Sequence, residues 1–264
     1  MSTPASHSAA PSSPAAATSS RRIVNFMPGL FGLFGVMVIM AAYRVYQQVY
    51  AFSAGLDSTL PDFETYWMTL LKVELAVLVT CWAVLWSWLW ITRDRHLDQL
   101  QPREEMRRYF NTVFFIMVYA FCVYFTGSFF AEMDASWHQT VVRDTSFTPS
   151  HIILFYGTIP LYILFGVGSF IYATTRLPKF AARISIPFAI AVTGPFLILP
   201  NLGYNEWGHA FWMMEEFFSA PLHWGFVVLG WSVLALGGLL LQIAQHIYEL
   251  MGRLEAESHV AAHR

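Results

Sequence analysis

Six runs of apolar residues dominate this chain, at 23–50, 66–91, 109–131, 151–174, 184–202 and 221–247. Each is close to the roughly 20 residues that cross the hydrocarbon core of a bilayer. In lipid every backbone N–H and C=O must be paired inside the chain, and a helix does this within its own span. The expected fold is therefore all-α, a polytopic membrane helical bundle of about six transmembrane helices. Composition agrees: 56% of residues are hydrophobic and only 12% are charged, against roughly 25% charged in a soluble domain. An ordinary soluble enzyme is excluded, and the 23 Phe, 12 Tyr and 10 Trp suit a protein whose rings gather at membrane interfaces.

The placement of charge orients the bundle. Of 15 Lys and Arg, 12 lie at the N-terminus, after the second and fourth runs, or at the C-terminus: Arg21, Arg22, Arg93, Arg95, Arg103, Arg107, Arg108, Arg176, Lys179, Arg183, Arg253 and Arg264. Positive charge is retained on the cytoplasmic side, so both termini are expected there. Segments 53–64, 132–150 and 203–220 then face outward. They carry nine carboxylates, Asp57, Asp62, Glu64, Glu132, Asp134, Asp144, Glu206, Glu215 and Glu216, against a single Arg143.

A net charge of −2 offers no basic excess to follow a phosphate backbone, so no nucleic acid partner is expected. Residues 1–20 contain only Ser, Ala, Pro, Thr, His and Met, too little apolar surface to offset the entropy of ordering. They are expected to be a disordered tail before a transmembrane domain at 21–252 and a C-terminal tail at 253–264. Arg21-Arg22 resembles the opening of an export signal, but no small-residue cleavage site follows. An uncleaved first helix is expected.

Three charges fall within the runs. Lys72 and Glu74 are each expected to have a partner, in a local or interhelical ion pair, or a polar cavity, because an unpaired charge in a span is costly. Arg44 is expected to snorkel outward or to meet an outer carboxylate. Cys81 and Cys122 lie in apolar runs without a turn-rich framework, so neither a disulfide scaffold nor a Cys-based zinc site is expected. Both read as small buried hydrophobes.

Of nine histidines, four lie outside the parts expected in the cytoplasm, and they fall into two sets. Asp134 and His138 are four residues apart, hence on one face of a helical turn, and His151 follows Thr148-Pro149-Ser150, where Pro suits a helix start. Asn205, His209 and His223 repeat the layout, His223 following Ala220-Pro221-Leu222. The paired histidines are 13 and 14 residues apart. In both sets an oxygen donor and a His close one span and a second His opens the next.

Two imidazoles and one oxygen donor suit copper, zinc or non-haem iron without distinguishing among them. A helix cap or an ion pair is the plain alternative for an Asp four residues before a His, and the coincidence of two such sets argues for metal. Asp144, Glu206, Glu215 and Glu216 are further candidates around the ligands.

The stretches Asp134-Ala-Ser-Trp-His-Gln, Arg143-Asp-Thr-Ser-Phe-Thr-Pro-Ser-His151 and Asn205-Glu-Trp-Gly-His209 resemble the C subunit of the copper membrane monooxygenases, the particulate methane and ammonia monooxygenase family. The resemblance extends to Ala54-Gly-Leu-Asp-Ser58, Phe63-Glu-Thr-Tyr-Trp67, Pro102-Arg-Glu-Glu-Met-Arg107, Thr175-Arg-Leu-Pro178 and Ala220-Pro-Leu-His223-Trp-Gly-Phe226, nearly everything from residue 45 onward.

The resemblance implies one member of a complex with A and B subunits, assembled as a trimer of heterotrimers in a bacterial inner or intracytoplasmic membrane. It implies copper at Asp134, His138 and His151 and at a neighbouring site of Asn205, His209 and His223, with both sites toward the outer side. These six residues are also the ones expected to carry the chemistry. The implied reaction inserts one oxygen atom of dioxygen into a small substrate, with quinol as electron donor. Methane, ammonia and short alkanes all stay open, because Ser146 to His151, Leu154 to Gly157 and Phe218 to Trp224 look closer to the ammonia and short-alkane branches, whereas Phe63 to Trp67 and Pro102 to Met106 look closer to the methane branch. Two other roles compete: a structural metal-binding subunit with catalysis in a partner, and a metal transporter.

Overall fold

A computed structural model describes residues 24–141, 147–195 and 223–263, except the side chains of 132, 135, 138, 139 and 223–228. The expected tail at 1–20 lies outside the described residues. What is described is helical: α1 (Met27–Tyr50), α2 (Pro61–Ile91), α3 (Pro102–Ala131), α4 (Glu132–Thr140), α5 (Pro149–Arg176), α6 (Pro178–Ala182), α7 (Ile186–Thr193) and α8, in which His223–Gly237 runs directly into Gly238–Ala262. Among the described residues there is no strand, as an all-α bundle requires.

Among the described residues, five helices are long and apolar enough to cross a membrane: α1, α2, α3, α5 and the Leu229–Ala262 part of α8. Even α1, with 24 residues, extends about 36 Å at 1.5 Å per residue, more than the roughly 30 Å hydrocarbon core. The fifth expected span is described only as far as α7 and the turn that follows it. The last helix continues to Ala262, ten residues beyond the expected end of the membrane domain.

Helices α2, α3 and α5 each begin with a proline, Pro61, Pro102 and Pro149. Proline has no N–H to leave unpaired at the first helical position, and its fixed φ suits the turn. In α2 and α3 the apolar runs therefore start one to two turns inside the helices, whose first turns are polar with Asp62, Glu104 and Glu105.

The core sits around α5. Seventy-two per cent of its apolar window is buried, against 11% to 33% for the other spans, so α5 is the central helix and the rest form a partial shell. It packs chiefly on α3 and α2, while α1 and α8 also pack on α3. Small residues let α3 and α5 approach closely: a methyl group on Gly166 would lie 2.7 Å from a Tyr119 ring carbon. The Tyr119 hydroxyl lies 2.9 and 3.1 Å from the carbonyls of Ala191 and Val192 on α7, to which it donates. Trp82 and Trp86 of α2, one turn apart, donate their indole N–H groups to the carbonyls of Pro160 and Leu164 on α5, both at 3.1 Å.

The basic end is tied by its arginines. Arg108 pairs with Asp94 at 2.8 Å and Glu104 at 3.1 Å and donates to the Arg176 carbonyl at 3.0 Å. Arg176 donates to the Leu89 carbonyl at 3.0 Å and to Thr92 Oγ1 at 2.6 Å. The residues that orient the chain by charge thus also join the ends of α2, α3 and α5. The Asp94 carboxyl is held below the usual carboxylate range, first by the His96 backbone N–H and then by the Arg108 guanidinium.

Lys72 forms a local ion pair as expected, with Glu64 at 2.5 Å on the exposed face of α2, whereas Glu74 forms none among the described residues and is turned into the bundle at 2% exposure. Two residues apart on a helix, they point to nearly opposite sides. Arg44 meets no carboxylate among the described residues; it donates to Gln47 Oε1 at 3.3 Å and to the Phe129 carbonyl at 3.2 Å. Cys122 is buried, but Cys81 lies on the outer face of α2, and both thiols are free.

Candidate metal centre at the acidic end

The acidic end is built where α3 gives way to α4 and where α5 begins. The last turn of α3, Thr126–Ala131, widens to π-helical hydrogen bonding, and α4 follows without a break. Helical backbone runs through both Asp134 and His138, placing them one turn apart on one face. The Asp134 side chain is fully buried. Trp137 in the next turn is buried as well and packs on Phe52 at a 5.2 Å ring separation.

Helix α5 supplies the other wall. Thr148 is its N-cap, with Oγ1 accepting from the His151 N–H at 3.3 Å, and Pro149 occupies the first helical position. This cap turns Ser150 and His151 toward α4. Ser150 Oγ donates to Asp134 Oδ1 at 2.6 Å, and His151 Nε2 lies 3.2 Å from the same oxygen. Thr148 Oγ1 and Ser150 Oγ are 3.2 Å apart, extending the polar chain back to the cap. Phe155 meets the His151 ring edge to face at 5.2 Å.

The connection after α1 closes the site from the side. A methyl group on Gly55 would collide with the Ala51 carbonyl, lie 2.5 Å from Pro149 Cγ and 3.1 Å from Trp67 Nε1. Only a residue without a side chain fits between α1, α2 and the start of α5.

Of the sequence-derived ligands, Asp134 and His151 are thus brought together. His138 is on the same helical face as Asp134 in backbone position, with its side chain outside those described. Among the described residues no three His, Cys, Asp or Glu side chains form a cluster. In the second set Asn205 and His209 lie outside the described residues, as do Asp144, Glu206, Glu215 and Glu216. His223 is the first described residue of α8. Ser150 and Thr148 are site residues that ligand spacing alone does not find; the Thr-Pro-Ser-His pattern of a capped helix start is the signal that points to them.

Each candidate ligand segment adjoins π-helical backbone: Thr126–Ala131 before α4, Ile152–Thr158 directly after His151, and His223–Gly237 from His223 onward. Such turns are uncommon and collect at functional sites, because the extra residue re-aims the side chains that follow.

The family model for the C subunit of ammonia monooxygenase/methane monooxygenase matches residues 10–254. The chain belongs to this family. As a C subunit it is one part of a multi-subunit monooxygenase, and its apolar helices make it a multi-pass membrane protein. None of the curated proteins compared with the chain matches it.

Proposed function

We propose that this chain is the membrane subunit that carries copper for a dioxygen-dependent monooxygenase acting on a small neutral substrate, ammonia, methane or a short alkane. The copper-holding residues are Asp134, His138 and His151 in one site and Asn205, His209 and His223 in a second. The A and B subunits complete the complex as a trimer of heterotrimers in a bacterial inner or intracytoplasmic membrane. Both sites face the outer, periplasmic side, quinol supplies the electrons, and the chain is inactive alone.

The observation that carries this reading is the approach of Asp134 Oδ1 to His151 Nε2 within 3.2 Å in a buried position. Two donors bound tetrahedrally to one ion at about 2 Å from it lie roughly 3.3 Å apart. The pair therefore fits a shared ion with little movement, and the helical backbone that continues from Asp134 through residue 138, one turn along, supports the reading of His138 as a third donor. When bound, copper supplies electrons to dioxygen and an open position for it.

The chain's own residues prepare the site. The Ser150 hydroxyl holds the Asp134 carboxylate in one orientation, and the Thr148 cap fixes the turn that presents His151. Trp137, Phe52 and Phe155 wall the site with rings, which exclude water and favour an apolar or neutral substrate.

The test is copper content and substrate turnover of the purified, assembled complex, wild type against Asp134→Asn with His151→Ala. Loss of copper and of turnover with assembly retained is the expected result. Unchanged copper, or zinc or iron in its place, would overturn the reading; unchanged turnover with copper held only at the second set would move the chemistry to Asn205, His209 and His223.

A further inference from the structure

Glu74 is a carboxyl group in the middle of a membrane span, 2% exposed, and neither of its oxygens has a partner at full hydrogen-bonding geometry. The nearest cation along its own helix, Lys72, is engaged with Glu64. From the other elements packed against it, α1 presents the Tyr43 phenol, which faces the carboxyl, and α5 presents Gly157, which has no side chain. A methyl group on Gly157 would lie 2.7 Å from Glu74 Oε1 and 3.5 Å from Tyr43 Cζ. A carboxylate so placed would be an unpaired charge in a low-dielectric interior, so the neutral acid is the form this position admits. Burying it offers nothing to packing that Leu or Met would not supply better.

Its position relative to the candidate metal centre is specific. Gly157 lies in the π-helical stretch that begins directly after His151, six residues along, or about 9 Å at helical rise. Unpaired buried polar atoms continue from Glu74 toward that end: Gln47 Nε2, one turn beyond Tyr43 on α1, and Trp67 Nε1, two turns before Glu74 on α2. The Trp67 nitrogen borders Gly55, which abuts Pro149, two residues from His151. Buried polar groups without a protein partner are the ones that a buried water can serve. The seam between α1, α2 and the outer half of α5 thus has a proton-bearing acid at its inner end and the candidate metal centre at its outer end.

We infer that Glu74 is the proton-holding acid of this protein, passing its proton along the seam lined by Gln47 and Trp67 to the site at Asp134 and His151. The inference rests on the monooxygenase reading proposed above. That reaction converts R–H, dioxygen, two electrons from a quinol and two protons into R–OH and water. Glu74 gives one of those protons to the oxygen atom that becomes water, turns into the carboxylate, and is reprotonated from the Tyr43 side by one of the two protons that the quinol releases on oxidation, relayed through water. The quinol's other proton is the second one the reaction consumes, so none is left over.

The experiment uses the assembled complex in nanodiscs. Infrared difference spectra of resting wild type against Glu74→Gln are expected to contain a carboxylic acid C=O band that moves in D2O and is absent from the variant. Gln keeps the shape and neutrality of the acid, so assembly and copper content are expected to be retained while turnover falls about a hundredfold, the scale of a lost general acid. Gly157→Ala, which presses on the carboxyl, is expected to shift the band without removing it. A wild-type spectrum without that band would show an ionised Glu74 and overturn the proposal, as would wild-type turnover in Glu74→Gln. The reading it rests on fails separately: Asp134→Asn with copper and turnover intact would remove the outer site as the proton's destination, whatever the Glu74 band shows.

Discussion

Ser150 Oγ donates to Asp134 Oδ1 over 2.6 Å, joining two helices through residues sixteen apart in the chain. The hydroxyl takes one lone pair of the oxygen that also faces His151 Nε2, so it sets the direction in which the carboxylate can bind an ion. Ser150→Ala removes that restraint and leaves the ligands in place. Copper affinity of the complex is expected to fall about tenfold to a hundredfold, the usual cost of losing a group that orients a metal ligand. Copper titration of the assembled complex checks this, and Ser150→Thr, which keeps the hydroxyl, is expected to restore most of the loss.

Sequence spacing reaches this site because its two halves follow from local rules. Asp134 and His138 need only a helix, and His151 needs only a capped start, which Thr148 and Pro149 supply. The family match spans these stretches. What spacing does not reveal depends on which way each helix faces once packed. Cys81 and Cys122 sit in equally apolar runs, yet one faces out of the bundle and the other into it. The cost of an unpaired charge asks for a partner or a polar cavity at both Lys72 and Glu74, but only the packed helix decides that Lys72 meets Glu64 on the exposed face while Glu74 turns into the bundle. The π-helical turns beside the candidate ligands have no one-dimensional signature, because they answer to packing between α3 and the start of α5. The layout of Asn205 and His209 rests on the sequence, those residues lying outside the described ones.

The Arg108 and Asp94 contact gives the basic end a dependence on acid. Asp94 titrates lower in the folded protein than in the unfolded chain, where a carboxyl of this type has a pKa near 3.9. Its contribution is therefore fully present above about pH 4 to 5 and is lost as pH falls through the lowered folded value. Asp94→Asn abolishes the contribution at every pH. Thermal unfolding of the complex is expected to show wild type above Asp94→Asn at neutral pH, with the gap closing in acid. A gap that widened below about pH 4 would contradict the assignment.

The two indole bonds between α2 and α5 hold the helix that carries His151. Trp82 and Trp86 are one turn apart, their rings stacked at 5.0 Å, and Pro160 and Leu164 are likewise one turn apart. The two N–H groups therefore meet two carbonyls in register. A carbonyl already used within its helix has a second lone pair to offer, so these bonds add to α5 without unwinding it. Trp→Phe at either position keeps a ring and deletes the donor. Each is expected to lower stability by about 0.6 kcal/mol, the mean for interhelical bonds in a membrane, and the double variant by more than either alone. Unfolding of the detergent-held complex measures it, with Val84→Ala on the exposed face of α2 as the change expected to leave the midpoint in place. Because α5 is one continuous helix from Pro149 to Arg176, slackening it at Pro160 and Leu164 is expected to loosen His151 as well. Copper affinity should then fall in the double variant although neither tryptophan is near the ligands; unchanged affinity would show that the Thr148 cap and Ser150 alone fix the site.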